Sequence, residues 1–382
     1  MRSHPRLASW LTVVLTGLLA LFAVGAVHTA ARQRADSPGP GALAAPVPAF
    51  KHIFVIVMEN KAYENIIGNR RLPYLNSLAQ QYGLATNYYA IRHPSLPNYL
   101  ALTGGDTFGI TSDCINCTVA QPNLVDQLEA AGRSWKAYME SMPGPCFVGD
   151  SGRLYRQKHN PFIYYDNIRE NPARCNQIVP FTQFEADLRA NTLPNFIWIT
   201  PNMCNDIHDC SPPSGDTWLK TWIPKILGSP AWQDGGVLFI TFDEGSSNNR
   251  RGCCRYATGD RIATLVISPL GKPAYQSPVA YDHYSLLRTI ETAWGLPLLG
   301  RANDPSTAPM ADFFTTPATS SPRDHSRRSS CWSPPSRGIS SSTSWALPLG
   351  DSRGRLRDAA RHVPTPGSIP GSEDRLRCVR EE

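Results

Sequence analysis

Four continuous apolar runs punctuate the chain, and three of them lead into polar clusters that carry carboxylates. Ile53-Phe54-Val55-Ile56-Val57-Met58 leads into Glu59-Asn60. Phe196-Ile197-Trp198-Ile199 leads through Thr200-Pro201-Asn202 to Asn205-Asp206-Ile207-His208-Asp209. Val237-Leu238-Phe239-Ile240 leads through Thr241-Phe242 into Asp243-Glu244-Gly245, and Ala263–Ile267 stops at Ser268-Pro269. Unbroken runs of this length predict strands buried on both faces of a parallel sheet. Between them lie helical patterns: one opening at Leu72 and stopping near Gly83, one capped by Asn123 and ending at Gly132, one from Tyr284 to Gly295. Strand–helix alternation predicts a doubly wound α/β fold, an α/β/α sandwich around a largely parallel sheet. Residues 133–180, rich in Pro, Asn and aromatics, read as a loop-rich insertion over the functional edge.

The pattern also sets boundaries. Residues 1–31 combine Arg2 and Arg6 with an apolar stretch from Trp10 to Val27 and small residues after it. They read as a secretory signal or, because the stretch is long, as an N-terminal membrane anchor. Either way the folded part lies outside the cytoplasm. Residues 32–49 read as a linker, 50–315 as the catalytic domain, and the Ser/Pro/Arg-rich 316–382 as a disordered tail with too little apolar surface to offset its ordering entropy.

Charge follows the same division. The net charge of +6 comes from the ends, +3 from residues 1–36 and +4 from 316–382, leaving −1 between them. A nearly neutral core gives no electrostatic case for nucleic acid. Eight of the ten cysteines fall in the middle region, and an even number in an exported chain favours disulfides. Cys114-x-x-Cys117 lacks the second pair a zinc site needs, so a short local disulfide is expected there. Cys204 and Cys210 flank Asp206 and His208, where a disulfide would stiffen the loop.

The sheet's strand ends matter because ligand sites of such folds open at the carboxyl edge. Ser95, in His93-Pro94-Ser95-Leu96-Pro97-Asn98-Tyr99, offers a nucleophile. A serine hydroxyl needs a base or a metal to activate it. The G-x-S-x-G elbow of histidine-activated hydrolases does not surround it, so metal activation is preferred. Glu59, Asn60, Asp243 and Glu244 supply an oxygen-rich ligand set suited to Ca²⁺, Mg²⁺ or Mn²⁺. Asp206, His208 and His283 could form a second, mixed site admitting Zn²⁺ or Fe. Taken singly, each element has an ordinary reading: Glu59-Asn60 as a helix cap, Asp243-Glu244-Gly245 as a turn, Ser95 as a turn residue between prolines. Their joint distribution over independent strand ends favours a site.

These motifs, with Lys158-His159-Asn160-Pro161-Phe162 and Asp282-His283-Tyr284, resemble the phosphoesterase family of bacterial phospholipases C and secreted acid phosphatases, within the alkaline-phosphatase-like superfamily. The resemblance spans residues 50–315 in order. It implies an alkaline-phosphatase-like fold and a metal-dependent hydrolase of phosphoric esters working through a phosphoserine at Ser95. Glu59, Asn60, Ser95, Asp243 and Glu244 would bind metal. His159 and Asn98 would contact the phosphoryl group, and Asp206, His208 and His283 would complete the site. The substrate would be a small phosphomonoester or, in the phospholipase C reading, a phospholipid headgroup. In that reading Trp135, Tyr138, Tyr155, Phe162, Tyr164 and Tyr165 form a lipid-tolerant mouth, unless they pack on themselves. A catalytically silent binding protein on the same fold is the remaining alternative.

Overall fold

The computed structural model describes residues 47–246 and 251–315. The N-terminal apolar segment, most of the linker and the Ser/Pro/Arg-rich tail lie outside the described residues.

The four apolar runs form β1 (Ile53–Met58), β5 (Phe196–Thr200), β6 (Val237–Phe242) and β7 (Arg261–Ile267). Every residue of β1, β5 and β6 is buried, as strands covered on both faces require. Five more strands join them: β2 (Gly83–Tyr89), β3 (Trp135–Met139), β4 (Ile178–Pro180), β8 (Gln276–Ser277) and β9 (Tyr281–Asp282). The nine-stranded sheet has the order β4-β3-β5-β1-β6-β7-β2-β8, with β9 also paired to β2. Only β7 runs against its neighbours, β6 and β2; every other pairing is parallel. The carboxyl ends of β1, β2, β3, β5, β6 and β9 therefore open on one edge. The chain fills the sheet on both sides of β1, so β1 lies where strand order reverses, the position at which such sheets bind ligands.

Six longer helices cover the sheet: α1 (Pro73–Gln81), α2 (Ser95–Gly104), α3 (Leu124–Ala130), α4 (Thr182–Ala190), α5 (Pro212–Leu227) and α6 (His283–Trp294). Asn123 caps α3 in a capping box with Asp126, and Gly295 ends α6 in the left-handed conformation. All ten residues of α2 are buried. A helix apolar nearly all round belongs in the interior, and this one carries Ser95 as its first residue.

The segment 133–180 departs from expectation. It supplies β3 and β4, which extend the parallel sheet beyond β5. Its aromatics do not form a mouth: Trp135, Tyr138, Tyr155, Phe162, Tyr164 and Tyr165 are each at most 4% exposed and pack into the core. Phe162 lies edge-on to Trp198 of β5, with ring centroids 5.5 Å apart. All eight mid-chain cysteines are paired, Cys114–Cys117, Cys204–Cys210 and Cys253–Cys254 locally and Cys146–Cys175 across 29 residues.

Candidate active site

Backbone hydrogen bonds lace three strand ends together. Glu59 N donates to Asp206 O (3.0 Å), Lys61 N to Glu244 O (3.1 Å) and Asp243 N to Met58 O (2.9 Å). Asn60 sits at φ 53°, a left-handed conformation asparagine tolerates, which turns the chain sharply after β1. Its amide donates to Asp243 Oδ1 at 2.9 Å, as does that of Glu244 at 2.6 Å. Gly215 of α5 permits the 201–211 loop to close down, because a Cβ there would lie 2.7 Å from Ile207 Cγ2.

This lacing concentrates negative charge. Glu59, Asp206 and Asp243 are fully buried and Glu244 is 4% exposed. Burial first, and the neighbouring carboxylates after it, push Asp243 up to about 8 and Glu244 up to about 10. Glu59 and Asp206 move the same way for the same first reason. Among the described residues, Asp206 Oδ2 and Asp243 Oδ2 are buried without a hydrogen-bond partner. No three His, Cys, Asp or Glu side chains among the described residues yet close on one point as a finished metal site does. The donor chemistry nevertheless fits a hard divalent cation: buried carboxylate oxygens are crowded together, two of them without a hydrogen-bond partner.

The nucleophile meets this cluster from the other side. Ser95 Oγ lies 3.4 Å from Glu59 Oε2 and 3.4 Å from Lys158 Nζ. It occupies the N-terminus of a ten-residue helix, whose dipole favours negative charge at that end. Asp113 braces the arrangement, accepting from Leu96 N at 3.0 Å and from Lys158 Nζ at 2.9 Å. Burial pulls the Lys158 ammonium down, but Glu59 and Asp113 outweigh it and hold it above its ordinary value. Tyr99, one turn along α2, donates to Glu59 Oε1 at 2.6 Å.

His159 is buried among acids, its Nε2 3.1 Å from Glu59 Oε1 and its Nδ1 3.7 Å from Asp206 Oδ2, and its ring stacks on Tyr99. Burial pushes it down to about 3, with Lys158 adding to the effect. His208 stands at the half-buried rim, with Nδ1 2.7 Å from Asp209 Oδ1 and its ring centroid 6.2 Å from that of His159.

Two expected site residues are committed elsewhere. Asn98 is engaged with backbone: its Oδ1 accepts from Ile91 N (2.9 Å) and Arg92 N (3.1 Å), and its Nδ2 donates to Arg92 O and Pro94 O. It holds the loop before the nucleophile. His283 donates from Nε2 to the Asp243 carbonyl (2.6 Å), while Tyr88 OH lies 3.2 Å from Nδ1. Burial pushes it down to about 4, and both ring nitrogens have partners, one of them the Asp243 backbone. Conversely, sequence reasoning assigned no role to Lys158, Tyr99, Asp113 or Lys61. Lys158 and Tyr99 stand inside the recognised motifs, which was the available signal. His93, also quoted there, lies with Nδ1 2.9 Å from Glu244 Oε2.

A model of the phosphoesterase family matches residues 69–297. The chain belongs to the phosphoesterase family. A phosphatidylinositol-3-phosphatase of Mycobacterium tuberculosis is 33% identical over 301 residues, 78% of this chain and 93% of that protein. An acid phosphatase of Aspergillus fumigatus is 35% identical over 264 residues, 66% of this chain and 57% of that protein. The chain thus spans about 60% of the length of the fungal acid phosphatases it matches. A phospholipase C A of Mycobacterium tuberculosis is 26% identical over 212 residues, 46% of this chain and 39% of that protein. Among solved structures, a protein in the alkaline phosphatase superfamily from Vibrio parahaemolyticus superposes with a TM-score of 0.46 at 14% identity, covering 67% of this chain and 71% of that one.

Proposed function

We propose that this phosphoesterase-family chain is an extracytoplasmic, metal-dependent phosphomonoesterase that works through a phosphoserine at Ser95. The observation that carries the reading is Ser95 Oγ, at the N-terminus of α2, 3.4 Å from both Glu59 Oε2 and Lys158 Nζ. Glu59, Asn60, Ser95, Asp243 and Glu244 would hold one divalent cation, with Ca²⁺, Mg²⁺ or Mn²⁺ favoured by the oxygen donors. Asp206, His159 and His208 offer a second, mixed set that admits Zn²⁺ or Fe. Bound there, a cation would favour the serine alkoxide and neutralise charge on the phosphoryl oxygens.

The chain's own residues supply the rest. The α2 N-terminus and Lys158 stabilise negative charge at Ser95 and on the incoming phosphoryl group. Ser95 Oγ gives its proton up to solvent and forms a bond to phosphorus as the ester P–O bond breaks, and the leaving oxygen takes a proton from solvent. Water then attacks phosphorus, and the Oγ–P bond breaks to regenerate the serine. Tyr99 and His159 fix the orientation of Glu59 throughout. Four disulfides support an oxidising compartment outside the cytoplasm. Among the described residues no helix is long and apolar enough to cross a membrane.

Phosphodiester cleavage at a phospholipid headgroup is the second reading, supported by the phospholipase C relative but by no aromatic mouth. The deciding assay chelates the purified chain, reloads it with single divalent ions, and compares p-nitrophenyl phosphate with phosphatidylcholine. Metal-restored turnover of the monoester supports the proposal. Preference for phosphatidylcholine favours the diesterase, and no turnover of any phosphate ester favours a silent binding protein.

A further inference from the structure

Beside the acid cluster lies a cavity of about 310 Å³ with the opposite electrostatic character. One wall is the loop leading to the nucleophile: Ile91, Arg92 and His93 line it, and Ser95 follows two residues later. The facing wall carries Tyr256, Tyr284 and Arg301. The volume falls within the range of about 300–1,000 Å³ usual for small-ligand pockets.

The walls are built rather than incidental. Asn98 ties down the amides of Ile91 and Arg92, and Thr258 donates to Ile91 O from both N (2.8 Å) and Oγ1 (3.1 Å). Gly259 allows the two backbones to touch, since a Cβ there would lie 2.7 Å from Arg92 N. Opposite, Tyr256 and Tyr284 meet edge to face at 5.9 Å, and the Arg301 guanidinium lies 4.1 Å over the Tyr256 ring. Asp304 anchors Tyr256 by accepting its hydroxyl at 2.6 Å. Arg301 has a loose acidic neighbour, Asp106 Oδ2 at 3.6 Å. Among the described residues Arg92 makes no ion pair; its Nε approaches only His93 O, at 3.4 Å.

Two guanidiniums flanking an aromatic wall suit a planar or ring-shaped body that carries an anionic group. The geometry points to a leaving-group subsite for phosphomonoesters that bear a second anion, a sugar or polyol bisphosphate being the simplest class. One phosphoryl group would meet Ser95 while the other lies between Arg92 and Arg301, and His93 borders both compartments. The orientation rests on the phosphomonoesterase reading, but the binding preference does not.

The test pairs fructose 1,6-bisphosphate with fructose 6-phosphate. Calorimetric binding to the full-length Ser95→Ala chain reads the subsite without turnover. The bisphosphate should bind at least fivefold more tightly, and adding Arg301→Met or Arg92→Met should shrink that ratio to about two or less, with the thermal transition retained. Arg301→Lys should keep part of the preference, because charge remains while the forked geometry is lost. In the active chain the same substitutions should lower the bisphosphate-to-monophosphate ratio of kcat/KM mainly through KM. Equal binding of the two ligands to Ser95→Ala, or a ratio untouched by both arginine substitutions, overturns the subsite. Absence of turnover alongside a preserved binding preference overturns the catalytic reading and leaves the subsite standing.

Discussion

Tyr99 donates a 2.6 Å hydrogen bond to Glu59 Oε1, joining the helix that begins with the nucleophile to the acid that ends β1. Both groups are fully buried, so neither exchanges the partner for water. Removing the hydroxyl in Tyr99→Phe leaves a buried carboxylate oxygen short of a donor. Hydrogen bonds to charged groups contribute about 1.5–3 kcal/mol, and denaturant titration should show a loss of that order. The metal concentration for half-maximal activity should rise as well, because Glu59 loses its orientation.

In the proposed mechanism Lys158, with Nζ 3.4 Å from Ser95 Oγ, stabilises charge at the nucleophile. Lys158→Met should lower kcat by roughly 10²–10³, the usual effect of removing one donor aimed at developing charge. Steady-state kinetics with p-nitrophenyl phosphate checks this. Asp113→Asn should produce a smaller loss in the same direction, since it weakens the 2.9 Å contact that holds the lysine.

Much of the frame was legible in the sequence, and the reasons are physical. The runs at β1, β5, β6 and β7 are continuous because parallel central strands are buried on both faces, so composition alone exposes them. β2 escaped notice because Thr86, Asn87 and Tyr89 break its apolar run where the strand is only half covered. α2 escaped because Pro94 and Pro97 read as turn signals, whereas proline in a first helical turn forfeits no intrahelical bond. In 133–180, β4 is a three-residue strand at the sheet's edge, and β3, though paired on both sides, is interrupted by Lys136 and so shows no continuous apolar run. At the site, the carboxylates were readable as strand ends. The backbone hydrogen bonds of Asn98 and His283 were not readable, because side chains that bind backbone look identical in sequence to side chains that bind ligand.

Stability of the metal-free chain should depend on pH in a defined direction. Asp243 and Glu244, pushed up to about 8 and about 10, hold protons in the folded state that the unfolded chain releases near pH 4. A folded state binding more protons than the unfolded one loses stability as pH rises. Between pH 7 and 9 the buried histidines are neutral when folded and mostly neutral when unfolded, so the carboxylates dominate. The stability of chelated protein, and its thermal midpoint with it, should fall across that interval, the unfolding free energy by up to about 1.4 kcal/mol per pH unit for each protonated group. Glu291, also pushed up to about 8, adds to the slope from outside the site. Asp243→Asn should flatten the slope, and a divalent cation should stabilise more at pH 9 than at pH 7.

The Cys204–Cys210 disulfide closes the loop that carries Asp206. Replacing both cysteines with serine should cost about 2 kcal/mol by the loop-entropy relation and weaken metal retention, measurable by denaturation and by metal analysis after dialysis.

The phosphoserine is the central claim, and the stereochemical course at phosphorus tests it most directly. A substrate made chiral at phosphorus with oxygen isotopes, its phosphoryl group transferred to an alcohol acceptor, reports the number of displacements. Two in-line steps through Ser95 predict net retention, with no transfer in Ser95→Ala. Net inversion would contradict the covalent intermediate and leave direct attack by the acceptor as the mechanism.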